Sequence, residues 1–208
     1  PVVRTEALPV TGLAADLEWL DGGWLVITSP RAVEALADLA TREGVPTAAL
    51  ASPRCACVGE RTARAAREMG LGVHVVGDAD AERLVELMPP VGGGAQARAL
   101  LPGSLLTRPA LADGLRAKGY EPRPLPLYRP VTVSPPPTEL QDAAACDAVL
   151  AAASSQVDAW VQLGAPRTVR WIAMGRPTAD TIRRHGMDCV VAPNPTAAGL
   201  LAALKELP

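Results

Sequence analysis

Apolar and polar positions along this chain alternate between two rhythms. Apolar runs of strand length are each followed by a stretch whose apolar positions fall three and four apart, the spacing of one helix face. Residues 24–28 read as a buried strand and 30–41 as a helix, with Pro30 in its first turn and Val33, Leu36, Ala37 and Ala40 on one stripe. The pattern continues with strands at 56–58, 72–76 and 97–101, and helices at 60–69, 80–88 and 109–118. Gly70 and Gly119 stand where two of these helices must stop. Residues 89–96, with two Pro and three consecutive Gly, read as a loop. A Pro-rich extended stretch covers 122–137. The rhythm then resumes, with strands at 148–151, 170–174 and 189–192 and helices at 155–163, 177–185 and 197–206. Alternating units of this size predict parallel sheets with helices on both faces.

The pattern repeats itself. Val58-Gly59-Glu60-Arg61-Thr62-Ala63 matches Met174-Gly175-Arg176-Pro177-Thr178-Ala179, and the same offset pairs Gly70 with Gly186 and Leu84 with Leu200. The preceding strand and helix match as well, with Val33 facing Val157. The extended segments 1–10 and 122–131 also correspond. Several landmarks in one order predict two similar α/β domains, each a doubly wound parallel sheet. The second extended segment follows a βα unit at 97–118. A complete repeat would place a like unit of about 30 residues before Pro1.

Composition narrows the classes. An apolar content of 49% is too high for a disordered chain. No apolar run approaches the ~18–20 residues that span a bilayer, so no membrane partner is expected. Residues 1–10 lack a basic start followed by an apolar stretch, so no secretory signal is read and the compartment expected is the cytoplasm. With no Phe and only 3% aromatics, the cores must be built from Ala, Val and Leu. The net charge is −2 and no Lys/Arg stripe or stacking platform appears, so nucleic acid is not an expected partner. Cys55 and Cys57 lie two apart in a strand and point the same way, but no second pair has ligand spacing. They read as buried small hydrophobes, and no metal site is expected.

In open parallel sheets, ligands bind beyond the carboxyl ends of the strands. Thr28-Ser29-Pro30, Gly59 to Thr62, Ser154-Ser155 and Gly175 to Thr178 all fall there. Glycine permits close backbone approach, and each helix start offers unpaired amides and partial positive charge, which attract carboxylates or phosphates. Ser29, Thr62, Ser155 and Thr178 also read as plain helix N-caps, and the two roles are compatible. Facing sites in two domains would suit a large polyanion across a cleft. No nucleophile elbow, Walker loop, dinucleotide fingerprint or zinc helix is present. His74 and His185 have no partner nearby in sequence and read as surface or helix-end residues. Tyr128, between Pro126 and Pro130, reads either as a proton donor reaching into the cleft or as hinge packing.

Taken together, these residues resemble uroporphyrinogen-III synthases. The resemblance runs through Ile27-Thr28-Ser29-Pro30-Arg31-Ala32-Val33 and Val58-Gly59 to Thr62-Ala63. It continues with Leu111, Leu115 and Gly119, then Leu127-Tyr128-Arg129, Met174-Gly175 to Thr178-Ala179, and Pro195-Thr196 before Leu200. It implies two α/β domains joined by a two-stranded linker, at 1–10 plus 129–208 and at 11–128. It implies a lyase that uses no cofactor and closes the linear tetrapyrrole hydroxymethylbilane, inverting its last ring and losing water. Tyr128 and Thr178 become the catalytic candidates. Thr28, Ser29, Gly59, Thr62, Ser154, Ser155, Gly175 and Arg176 become the substrate-binding candidates. A monomer is expected, with coupling to hydroxymethylbilane synthase as a further expectation. The chain also departs from the family. The resemblance leads one to expect a βα unit ahead of Pro1; the chain has Ala152-Ala153 where its own first copy has Thr28-Ser29, and Gly103 where relatives often have Arg. The alternative reading is a non-catalytic tetrapyrrole- or anion-sensing module on the same fold.

Overall fold

Residues 24 to 27 are buried along their whole length, as a strand covered on both faces requires. They form β2 (Trp24–Ile27) at the middle of the larger of two sheets. The structure is a computed structural model and describes residues 3–78, 80–91, 97–107, 109–133, 138, 142 and 145–206. The expected loop at 89–96 and the end of the Pro-rich stretch lie largely outside the described residues. The chain divides into two compact units, Glu6–Arg129 and Pro1–Thr5 with Pro130–Pro208. It crosses from one to the other along β1 (Val3–Ala7) and β6 (Tyr120–Thr132). Among the described residues no helix is long and apolar enough to cross a membrane.

In the Glu6–Arg129 unit the other strands are β3 (Arg54–Val58), β4 (Val73–Gly77) and β5 (Ala97–Ser104). The sheet order is β1-β6-β5-β2-β3-β4, with parallel pairing throughout β6-β5-β2-β3-β4. From β2 the chain builds outward to β4, then returns to place β5 on the other side of β2. The order therefore reverses between β2 and β5, the point at which such sheets open a crevice.

Strand alternation divides the side chains of β2 between two cores. Leu25 and Ile27 pack with α2 (Pro30–Glu43) and α4 (Glu60–Glu68), which bury Val33, Leu36, Leu39, Ala63 and Ala66. Trp24 and Val26 pack with α5 (Ala81–Leu87) and α6 (Pro109–Ala117), which bury Leu84, Leu111 and Leu115. Cys55 and Cys57 face the first core with their sulfurs 3.6 Å apart. The hydrogen bond to Cys57 and then burial push the Cys55 thiol up, which fits the expected role as buried small hydrophobes.

The second unit holds β7 (Ala148–Ala151), β8 (Arg170–Ala173) and β9 (Cys189–Val191) in that order, all parallel. One face is covered by α7 (Ser154–Gln162) and α8 (Arg176–Arg184) through Val157, Trp160 and Ile182. Trp160 and Trp171 meet edge to face with ring centres 5.5 Å apart, supplying the area that the missing Phe would have. The other face meets α9 (Ala197–Lys205) through Ile172, Ala192 and Ala203.

The repeat is structural. The run from β2 through α5 recurs as β7 through α9, and Gly70 and Gly186 both end their helices with positive φ, 90° and 75°. Two elements were not legible in the apolar pattern. Helix α1 (Leu13–Leu20) has no local cap; its first amides, Gly12 N and Leu13 N, donate to the Glu43 carboxylate at 2.9 and 2.8 Å. Helix α3 (Thr47–Ala51) is a single turn anchored by buried Leu50, too short to show a period. The first copy is longer between Val33 and Val58 than the second between Val157 and Met174, and α3 lies in that extra length.

Candidate active site

The carboxyl edge of the larger sheet places three hydroxyl side chains across neighbouring strands. Leu25 pairs with Leu100 between β2 and β5; Ser29 follows the end of β2, and Ser104 is the last residue of β5. Ser104 in turn pairs with Tyr128 on β6, at a register shift between Gly103 and Ser104. The Tyr128 ring is half-buried against the α2-side core, and its carbonyl accepts from Leu105 N at 2.8 Å. Its Oη lies 3.1 Å from Ser29 Oγ. Ser29 and Tyr128 are thus brought together, with the end of β5 between their strands.

Ser29 is the N-cap of α2. Its backbone is extended (φ −154°, ψ 151°), Pro30 follows at the first helical position, and Oγ accepts from Ala32 N at 3.2 Å. Thr28, half-buried, precedes it at the end of β2.

The capping reading needs correction elsewhere. Gly59 and Gly175, not the threonines, occupy the N-cap positions of α4 and α8. Thr62 and Thr178 sit one turn in, 2% and 5% exposed, with their amides on the carbonyls of Gly59 and Gly175. The two glycines also differ. Gly59 has φ 77°, where a side chain is strained, whereas Gly175 at φ −167° is extended backbone that any residue adopts. Ser155 is not a cap either; α7 starts from Ala153. Gln156 Oε1 takes over, accepting from Ala152 N and Ala153 N at 2.7 and 3.2 Å. Ser154 donates to the carbonyl of Pro177 at 3.1 Å, which links the starts of α7 and α8. Arg176 is exposed at the first position of α8.

At α4 and α8, which directly follow strands of their sheets, the leading amides have no preceding helical turn to accept from them. At α4 those are the amides of Glu60 and Arg61. The Glu60 carboxylate is paired with Arg67 at 2.6 Å, which offsets the negative charge it brings to an anion-attracting helix end. Among the described residues no group of three or more His, Cys, Asp or Glu is arranged to hold a metal ion. His74 is exposed, and His185 caps α8 and meets Asp158 at 2.8 Å.

Ser104 is the residue the sequence did not bring forward. Pro102-Gly103 looks like a strand end, and the expected strand stopped at Leu101, but β5 runs on to Ser104. A cavity of about 310 Å³ adjoins it on the α6 side, walled by Leu101, Leu111, Ala112, Pro124 and Pro126. Its lining is mostly apolar, with Ser104, Thr107 and Arg116 as its polar members.

The sequence model of the family described as uroporphyrinogen-III synthase HemD matches residues 1–202. Solved structures are similar over almost the whole chain. A methionine-substituted variant of uroporphyrinogen III synthase from Thermus thermophilus is 26% identical with a TM-score of 0.70, covering 99% of this chain and 86% of that one. A second structure of Thermus thermophilus uroporphyrinogen III synthase is 27% identical with a TM-score of 0.57, covering 99% and 87%. Uroporphyrinogen-III synthetase from Helicobacter pylori 26695 has a TM-score of 0.74 at 15% identity, covering 99% and 90%, a likeness of fold. No curated protein matches the chain.

Proposed function

The chain belongs to the uroporphyrinogen-III synthase family, and on that premise we propose that the carboxyl edge of its Glu6–Arg129 unit carries the chemistry, with Tyr128 as proton donor. The family's members are lyases that close hydroxymethylbilane into uroporphyrinogen III, inverting the last ring and releasing water. The observation that supports this placement is the phenol of Tyr128, held at the sheet's reversal point by Ser29.

In this reading the pyrrole ring bearing the hydroxymethyl group supplies an electron pair and the carbon–oxygen bond breaks. The oxygen leaves as water with the phenol proton of Tyr128. The resulting azafulvene is attacked by the last ring at its substituted carbon, giving a spiro intermediate that opens and recloses inverted. The final ring carbon releases a proton as aromaticity returns, which restores the phenol. Atoms balance with water as the sole by-product.

After the first step the protein must control shape more than reactivity. Thr28, Ser29, Gly59 and Thr62 form the turns that present leading amides of α2 and α4 to the substrate's carboxylates. Ser154, Ser155, Gly175 and Arg176 offer the same groups in the other unit. There Thr178, a candidate for catalysis, stands in the first turn of α8. The same reading has the protein working as a cytoplasmic monomer on substrate released by hydroxymethylbilane synthase.

Tyr128→Phe tests the assignment. Turnover of hydroxymethylbilane is expected to fall at least about tenfold with the far-ultraviolet circular dichroism unchanged. Near-full activity in this variant would reassign Tyr128 to packing.

A further inference from the structure

We propose that Ser29 is a positioning residue for Tyr128: its hydroxyl donates to the phenol oxygen and leaves the phenol proton free for the substrate. This rests on the reading of Tyr128 as proton donor. Two hydroxyls 3.1 Å apart can share a hydrogen bond in either direction. Their other contacts decide between the two. Ser29 Oγ already accepts from Ala32 N at 3.2 Å, as the cap of α2. Accepting from one donor polarises the hydroxyl's own O–H, making it a better donor and a poorer acceptor.

Both partners are also fixed. Its extended backbone and the following Pro30 set where Oγ lies, and Leu105 N holds the Tyr128 carbonyl at 2.8 Å. With Ser29 donating, the phenol's single proton is not consumed inside the protein. As that proton moves to the departing hydroxyl, the bond from Ser29 becomes a bond to a phenolate, which is stronger. The Ser29 hydroxyl therefore contributes most when the charge develops, and does so through Tyr128.

The repeat supplies an internal contrast. Ala153 occupies the same N-cap position of α7 with nearly the same backbone, φ −149° and ψ 151°, but has no hydroxyl. The capping task there passes to Gln156. The scaffold keeps the turn in both copies and keeps the serine only in the copy that carries Tyr128.

The experiment compares Ser29→Ala and Ser29→Thr, each with Tyr128 intact and with Tyr128→Phe, by kcat and KM for formation of the type III isomer. Ser29→Ala is expected to lower kcat about tenfold with KM within roughly twofold. Ser29→Thr, which keeps both cap and donor, is expected to stay within about threefold of the unaltered protein. When combined with Tyr128→Phe, Ser29→Ala should change kcat by less than about twofold, because the group it positions is gone. An equal loss in both backgrounds would mean that Ser29 acts on the substrate directly and would overturn the proposal. So would an unchanged kcat in Ser29→Ala. Tyr128→Phe alone reports separately on the underlying reading; if it retains activity, that reading fails and the positioning role falls with it.

Discussion

Ser29 Oγ and Tyr128 Oη lie 3.1 Å apart although 99 positions separate them in the chain. One hydroxyl comes from the end of β2, the other from β6, and β5 runs between them. Parallel pairing of β2 with β5 and of β5 with β6 holds their strands side by side, so the contact depends on the sheet. It also joins the cap of α2 to the strand that leads out of the unit, which ties local helix chemistry to the proposed catalytic group.

The two glycines of the repeat predict unequal responses to alanine. Gly59→Ala forces a side chain into φ 77° and is expected to destabilise by about 1–2 kcal/mol. Gly175→Ala meets nothing closer than Pro177 Cδ at 3.8 Å and needs no unusual φ, so its cost is expected below about 0.5 kcal/mol. Urea unfolding of the two variants beside the unaltered protein checks the difference.

These glycines also mark how far the sequence could be read. The βα repeat was legible because its landmarks are chemically blunt: apolar runs, helix-stopping Gly70 and Gly186, and a Val at matched points of two helices. The conformations at its turns were not legible. Val58-Gly59 and Met174-Gly175 look alike as letters yet differ by left-handed against extended backbone, a choice made by each unit's packing. Thr62 and Thr178 looked like caps because Thr commonly caps, but the cap position fell to the glycine three residues before. Helix α1 is not legible because its capping group, Glu43, comes from a distant part of the chain. Ser104 is not legible because a Pro-Gly pair inside a strand reads as its end. Tyr128 was legible as a candidate from its place among prolines, but its partner Ser29 required the fold.

The missing cap in the second copy gives a stabilising prediction. Ala153→Ser restores the N-cap that Ser29 provides in the first copy and is expected to add about 0.5–1 kcal/mol. Gln156→Ala removes the acceptor for Ala152 N and Ala153 N and is expected to cost a similar amount, about 0.5–1 kcal/mol. Thermal unfolding followed by tryptophan fluorescence suits both variants, because Trp160 and Trp171 lie in the core beneath α7.

The most direct measurement is the isomer composition of uroporphyrinogen formed when this protein is added to hydroxymethylbilane generated in place by hydroxymethylbilane synthase. The account predicts that the type III isomer, with its last ring inverted, becomes the main product in proportion to the protein added. A product that stays predominantly type I, as in the absence of the protein, would contradict it and leave a fold that binds without catalysing.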